Sequence, residues 1–292
     1  MFRGTFTALV TPFRDGAIDV ASLERLVDAQ VSGGITGVVP IGTTGESPTL
    51  SRGEREQTIR TVVQRAQKRC QVLAGTGTNS TASSIEATQA AEKLGVDGAL
   101  VVAPYYNKPS QEGLFRHFKA IAESTKLPIM LYNIPGRCGV DIGPQTVERL
   151  AAECRNIVSI KEASGSVDRV GELRSRLPES FTVLSGDDSL TLPFMSVGAV
   201  GVVSVASNLF PKEVSDLVRA FAAGEFETAR QLHARLLPLF KDLFIEPNPV
   251  PTKTVFGWRG EMSPECRLPL CEMSIENANR LRQTLDALGR TA

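Results

Sequence analysis

The chain has 292 residues, 42% hydrophobic and 22% charged, with Lys plus Arg and Asp plus Glu balanced at 32 each. That size suits one large globular domain or a domain with an appendage, and neither sign of charge gathers into the patch a nucleic-acid binder needs. The N-terminus "MFRGTFTALVTPF" lacks the apolar region of a signal peptide, and no run of about 18 apolar residues occurs, so the expected setting is the cytoplasm, with no membrane partner.

In chain order, eight Val/Ile/Leu-rich runs read as strands: "GTFTALV", "TGVVPI", "QVLAGTG", "DGALVVAP", "LPIMLYNI", "NIVSIKE", "FTVLSG" and "VGVVSVAS". They recur at roughly 30 residues, the length of a βα unit. The Val/Ile/Leu-rich runs are continuous rather than alternating, which suggests strands buried on both faces in a parallel sheet. Eight such units predict an α/β fold, a closed (β/α)8 TIM barrel over residues 1–225. The intervening segments agree. "DVASLERLVDAQVSGG" sets Leu23, Leu26, Val27 and Val31 on one helical face and stops at Gly33, while Ser51 and Glu54 have capping-box spacing. Residues 226–292 carry helical patterns, a Pro-rich joint at "FIEPNPVPTK" and no strand pattern, and are expected to form a C-terminal helical appendage.

The five cysteines, Cys70, Cys138, Cys154, Cys266 and Cys271, are odd in number and have no C-x-x-C pair, so reduced thiols are expected. His117 and His233 stand in separate helical segments and cannot build a multi-histidine metal site; each is expected to be structural or solvent-facing. No metal and no cofactor is called for.

In a barrel of this kind, chemistry comes from the C-terminal ends of the strands. Lys161 ends the apolar run "NIVSIKE". Its stem could simply snorkel to the rim; alternatively, a desolvated lysine has a lowered pKa and its neutral amine attacks a carbonyl to give an imine. Position alone favours neither. After the second strand, "PIGTTGES" brackets Thr43 and Thr44 between Gly42 and Gly45, a concavity suited to a carboxylate, although a plain Gly-rich turn also accounts for the string. Tyr105 and Tyr106 follow the fourth strand, Tyr132 ends the fifth, and Arg137 lies in the loop beyond. All three tyrosines of the chain thus fall on strand ends beside a Thr pair, a Lys and an Arg.

The strings "GTTGE", "PYYNKPSQEG", "YNIPGR" and "IKEASG", in this order and spacing, resemble the 4-hydroxy-tetrahydrodipicolinate (dihydrodipicolinate) synthase family of class I pyruvate-dependent aldolases over essentially the whole length. The resemblance implies a metal-free, cofactor-free lyase that condenses pyruvate with L-aspartate semialdehyde for diaminopimelate and lysine biosynthesis. It implies that Lys161 forms the Schiff base and that Thr43 and Thr44 hold the pyruvate carboxylate. Tyr132, Thr44 and Tyr106 would form a proton relay, with Tyr106 supplied by a neighbouring subunit of a homotetramer built from dimers. Arg137 would receive the carboxylate of the aldehyde, and Gly186 and Val203 would line the pocket through their backbone. Val203 stands where the family often has Ile. Lyases and dehydratases of sugar acids share the lysine, the tyrosine and a similar loop, and an inactive scaffold barrel is a further alternative; Arg137 favours the synthase, because a guanidinium fork suits a short carboxylate better than a polyol. The cleft where lysine inhibits some family members maps to Ser47, Pro48, Arg52, Arg55, Asn79, Ser83 and Tyr105. With Arg52 and Arg55 in place of the usual histidines and Ser83 in place of a glutamate, weak or absent lysine feedback is expected.

Overall fold

The computed structural model describes residues 2–289. The expected barrel is present. Strands β1 (Gly4–Ala8), β4 (Gly37–Val39), β5 (Gln71–Gly75), β6 (Gly98–Val102), β7 (Ile129–Asn133), β8 (Ile157–Glu162), β9 (Thr182–Ser185) and β10 (Gly201–Ser204) close in the order β1-β10-β9-β8-β7-β6-β5-β4, every pair parallel. Each strand lies inside one of the runs read from the sequence. The double burial inferred from those runs has a direct counterpart in packing. Phe6, Val39, Leu73, Leu100, Met130, Leu184 and Val203 fill the bore, whereas Val38, Val72, Val101, Leu131, Ile160 and Val183 face the surrounding helices. The polar strand residues Thr5, Thr7, Ser159, Thr182, Ser185 and Ser204 are buried as well.

The helix Val20–Ser32 buries Leu23, Leu26 and Val27, is capped by the Asp19 carboxylate accepting from the Ser22 amide, and ends at Gly33; the left-handed turn falls one residue later, at Gly34 with φ +72°. Ser51 and Glu54 form a complete capping box on the helix Arg52–Ala66. The sequence reading missed a two-stranded ribbon, β2 (Phe13–Arg14) and β3 (Ala17–Ile18), turned by Asp15 and Gly16 at φ +52° and +78°. A two-residue tight turn with both centres at positive φ is what an Asp-Gly pair favours between short antiparallel strands.

Beyond β10 the described chain is helical: Pro211–Ala222, Phe226–Asp242, Val250–Trp258 and Ile275–Ala287. No helix among the described residues is long and apolar enough to cross a membrane. All five cysteines are free, with Cys70, Cys138 and Cys154 buried. His117 is structural, as expected: it is buried on the helix Gln111–Glu123 with Nδ1 2.9 Å from Thr81 Oγ1, and burial pulls its pKa down to about 4. His233 is half-buried, 5.9 Å from the Phe240 ring.

Candidate active site

Lys161 enters the bore because of an irregularity in β8. Ile129 pairs with Ile157, but the next partners are Met130 with Ser159, Leu131 with Ile160 and Tyr132 with Lys161, so one extra residue is taken up on β8. Side chains alternate along a strand, and a one-residue offset reverses every side chain beyond it. Ile157 and Ile160 both pack outward against the helices, a spacing that strict alternation forbids. The offset therefore turns Lys161 inward beside Tyr132. Its side chain passes Gly186, where a Cβ would sit 3.0 Å from Lys161 Cε and 2.7 Å from Ala163 Cβ. Any side chain at Gly186 would push the lysine aside.

Lys161 is only 6% exposed, and its Nζ lies 4.0 Å from the centroid of the Tyr132 ring. Burial drives its pKa from 10.5 down to about 7; the Asp188 carboxylate pulls upward against this, and the Arg137 guanidinium adds to the lowering. Near neutral pH a large fraction of the amine is thus unprotonated and nucleophilic. Burial also raises the Tyr132 phenol, with Arg137 and a hydrogen bond to Thr43 working the other way, so Tyr132 is a neutral proton donor and acceptor rather than a phenolate.

Above these groups opens a cavity of about 180 Å³ whose wall includes Thr43, Tyr105, Tyr132, Arg137 and Cys138. Arg137 sits on the exposed turn Pro135–Cys138 at its rim. Lys161, Thr44 and Val203 are buried and do not form part of that wall. The Val203 side chain is committed to packing in the bore. The "GTTGE" loop is tighter than its composition suggested. The Gly45, Glu46 and Ser47 amides turn back onto the carbonyls of Gly42 and Thr43. Gly45 is needed where it is, since a Cβ there would meet the Ile41 amide, the Leu9 carbonyl and Thr11 Oγ1 at 3.1 to 3.2 Å. A short 3-10 turn, Ser47–Thr49, separates the loop from the helix Arg52–Ala66.

Two further groups were not singled out from the sequence. Asp188, in "SGDD", is buried with Oδ2 accepting from the Val205 and Ala206 amides. The second contribution comes from the C-terminal region, whose Pro-rich joint reaches the loop. Asn248 Nδ2 donates to Thr44 Oγ1 at 2.8 Å, and the fully buried Lys253 pairs with Glu46 at 2.5 Å. Glu46 also accepts from the Arg267 amide at 2.9 Å, while the Phe13 ring lies 4.1 Å from Lys253 Nζ and 4.3 Å from the Arg267 guanidinium.

Lys161, Tyr132, Thr43, Thr44, Arg137, Gly186 and Val203 therefore gather at one end of the barrel. Tyr106 does not join them within this chain. It is 86% exposed, with its backbone at φ +75°, an unusual conformation for a side-chain-bearing residue. Of the residues mapped to the regulatory cleft, Ser47, Pro48, Arg55 and Tyr105 line the same cavity as Tyr132, and the Arg55 guanidinium is held by the carbonyls of Leu50 and Ser47.

A closed parallel barrel with a desolvated amine held against a tyrosine at its strand ends has the construction of the class I, imine-forming lyases. The chain belongs to the dihydrodipicolinate synthetase family, whose family model matches residues 1–288. It is 53% identical over 281 residues to a 4-hydroxy-tetrahydrodipicolinate synthase of Geotalea daltonii, covering 96% of this chain and 97% of that one. It is 51% identical over 285 residues to the Aquifex aeolicus enzyme of the same name, covering 98% and 97%. Among solved structures, the 4-hydroxy-tetrahydrodipicolinate synthase of Methylacidiphilum fumariolicum SolV superposes with a TM-score of 0.98 at 57% identity, covering 99% of this chain and 96% of that chain.

Proposed function

We propose that the chain is a 4-hydroxy-tetrahydrodipicolinate synthase that condenses pyruvate with L-aspartate semialdehyde in the cytoplasm, on the route to diaminopimelate and lysine. The observation that carries this reading is the Lys161 amine, buried in the bore with its pKa drawn down to about 7 and set 4.0 Å from the Tyr132 ring. Neutral Lys161 adds to the ketone of pyruvate and water leaves, giving a protonated imine. That imine is an electron sink, so the adjacent methyl loses a proton and becomes an enamine carbon nucleophile. Thr43 and Thr44 hold the pyruvate carboxylate, whose charge offsets that of the imine. The enamine carbon attacks the aldehyde while Arg137 binds the second substrate's carboxylate. The amine of that substrate then displaces Lys161, closing the ring and returning the enzyme. Tyr132 and Thr43, which share a hydrogen bond at the cavity, carry the protons in place of the Tyr132–Thr44 pair expected from the sequence, because Thr44 is buried on Asn248 instead; the backbone of Gly186 and Val203 bounds the pocket.

Tyr106, exposed on its own chain, completes the relay from a neighbouring subunit, which makes the working unit a dimer and the assembly a tetramer of two such pairs. Residues 226–292 act as a helical buttress on the barrel 1–225, and the tie from Lys253 to Glu46 is what that buttress gives to the loop. A coupled assay of pyruvate with aspartate semialdehyde or with sugar-acid aldehydes tests the reading. Turnover is expected with the semialdehyde, and Arg137→Ala is expected to lower efficiency toward it by one to two orders of magnitude, since a charge-assisted contact contributes roughly 1.5 to 3 kcal/mol. Preference for a polyol aldehyde, or an unchanged Arg137→Ala, would reject it.

A further inference from the structure

Next to the Tyr132–Lys161 rung of β7 and β8 lies a second one, Asn133 with Glu162. Strand alternation turns both side chains to the opposite face from Tyr132 and Lys161, and both are fully buried. A buried carboxylate is stable only with donors around it, and Glu162 has three. They are the Ser164 amide at 2.8 Å, Arg169 Nε at 2.8 Å, and Asn133 Nδ2 at 3.1 and 3.2 Å from the two oxygens. Arg169 stands in the first turn of the helix Val167–Arg176, where the helix dipole disfavours a cation, so its charge is placed there at a cost.

The rest of the guanidinium fork reaches the chain that follows β7. Nη1 donates to Asp141 Oδ2 at 3.0 Å, and Nη2 donates to the Ile142 carbonyl. Asn133 grips the same two residues: Nδ2 donates to Asp141 Oδ1 at 2.7 Å, and Oδ1 accepts from the Ile142 amide at 3.0 Å. Residues 134–141 thus leave β7 at Asn133 and return to its side chain, a closed loop that carries the Pro135–Cys138 turn. Arg169 fastens that closure to the carboxylate that follows Lys161 in sequence. The Arg137 guanidinium is exposed at the cavity rim, so its reach is set by the loop that carries it. We propose that Arg169 is a positioning residue: it ties the loop bearing Arg137 to the strand end bearing Lys161, and so selects an aldehyde whose carboxylate lies at one fixed distance from its carbonyl. The inference rests on the role given to Arg137 above.

Asp141 is exposed, and Asp141→Ala releases the loop end of the clamp while leaving Arg169 on Glu162. It is expected to lower kcat/KM for aspartate semialdehyde about tenfold, within what a misplaced binding group costs, while borohydride trapping with pyruvate alone stays within about twofold of wild type. Arg169→Lys keeps a charge for Glu162 but has no fork to span both Glu162 and the loop, so it should give the same split. It also serves should Asp141→Ala fail to fold. A merely structural role would move both measurements together; equal losses in trapping and in efficiency overturn the proposal, as does an efficiency within about twofold of wild type in both variants. The Arg137→Ala background separates the two layers. Adding Asp141→Ala there should change the efficiency by less than about twofold, because both changes act through one group. A further loss of about tenfold in that background overturns the positioning role and leaves the reading of Arg137 standing. If Arg137→Ala alone leaves the efficiency unchanged, the functional reading fails and the proposal with it.

Discussion

Two lysines are buried among the described residues, and they differ in what faces them. Lys253 is fully buried and fully answered. Its Nζ meets Glu46 at 2.5 Å and the Glu265 carbonyl at 2.7 Å, and Glu46 in turn accepts from the Arg267 amide. Lys161 is almost as deeply buried but rests on an aromatic face, with the Asp188 carboxylate acting on it only as a through-space charge. Burial lowers both amines, yet at Lys253 the nearby Glu46 opposes the lowering from contact distance. Burial alone does not mark a reactive lysine. What distinguishes Lys161 is the lack of a carboxylate in contact, which leaves a large fraction of the amine neutral near pH 7. The paired lysine holds the loop in place; the unpaired one is free to react with what the loop binds.

That contrast can be broken from either side. The largest effect is expected at the pair: Glu46→Gln or Lys253→Met alone should each cost about 3 to 5 kcal/mol of stability, because removing one partner strands the other charge in the interior. Chemical denaturation of each variant measures it, and a loss below about 1 kcal/mol would mean that the pair is solvated in solution. Lys161→Met should act in the opposite direction. The folded-state pKa of about 7 lies below the unfolded value of 10.5, so the lysine costs stability, and the cost grows as pH falls from 10.5 toward 7. Removing it should stabilise the chain by about 3 kcal/mol at pH 8 and by nothing appreciable above pH 10.5, while abolishing turnover. The smallest effect is the coupling within the pair: Glu46→Gln combined with Lys253→Met should lose about 1 to 3 kcal/mol less than the two single losses summed.

The same contrast explains what could be read from the sequence. The eight strands were legible because burial on both faces leaves uninterrupted apolar runs, and Lys161 was legible because an ammonium is out of place in one of them. Its inward direction was not, because that depends on a single extra residue taken up between Ile157 and Ser159, which shows only against β7. The contacts of Asn248 and Lys253 were equally hidden. Their partners Thr44 and Glu46 lie 204 and 207 positions away, and the local string reads only as a Pro-rich joint. The ribbon at residues 13–18 has two residues per strand, too few for any periodicity to show. Tyr106 could be placed at a strand end, but an exposed ring has no local signature that tells a subunit contact from an ordinary surface position.

The central claim is that Lys161 is the amine that reacts and that desolvation makes it reactive. Borohydride reduction in the presence of pyruvate, followed by mass spectrometry across a series of pH values, tests both parts at once. One reduced pyruvate per chain is expected on the peptide that carries Lys161, with none in Lys161→Ala, and the trapping rate should rise with pH through a midpoint near 7. An adduct that persists in Lys161→Ala, or a midpoint close to the ordinary lysine value of 10.5, would contradict the account.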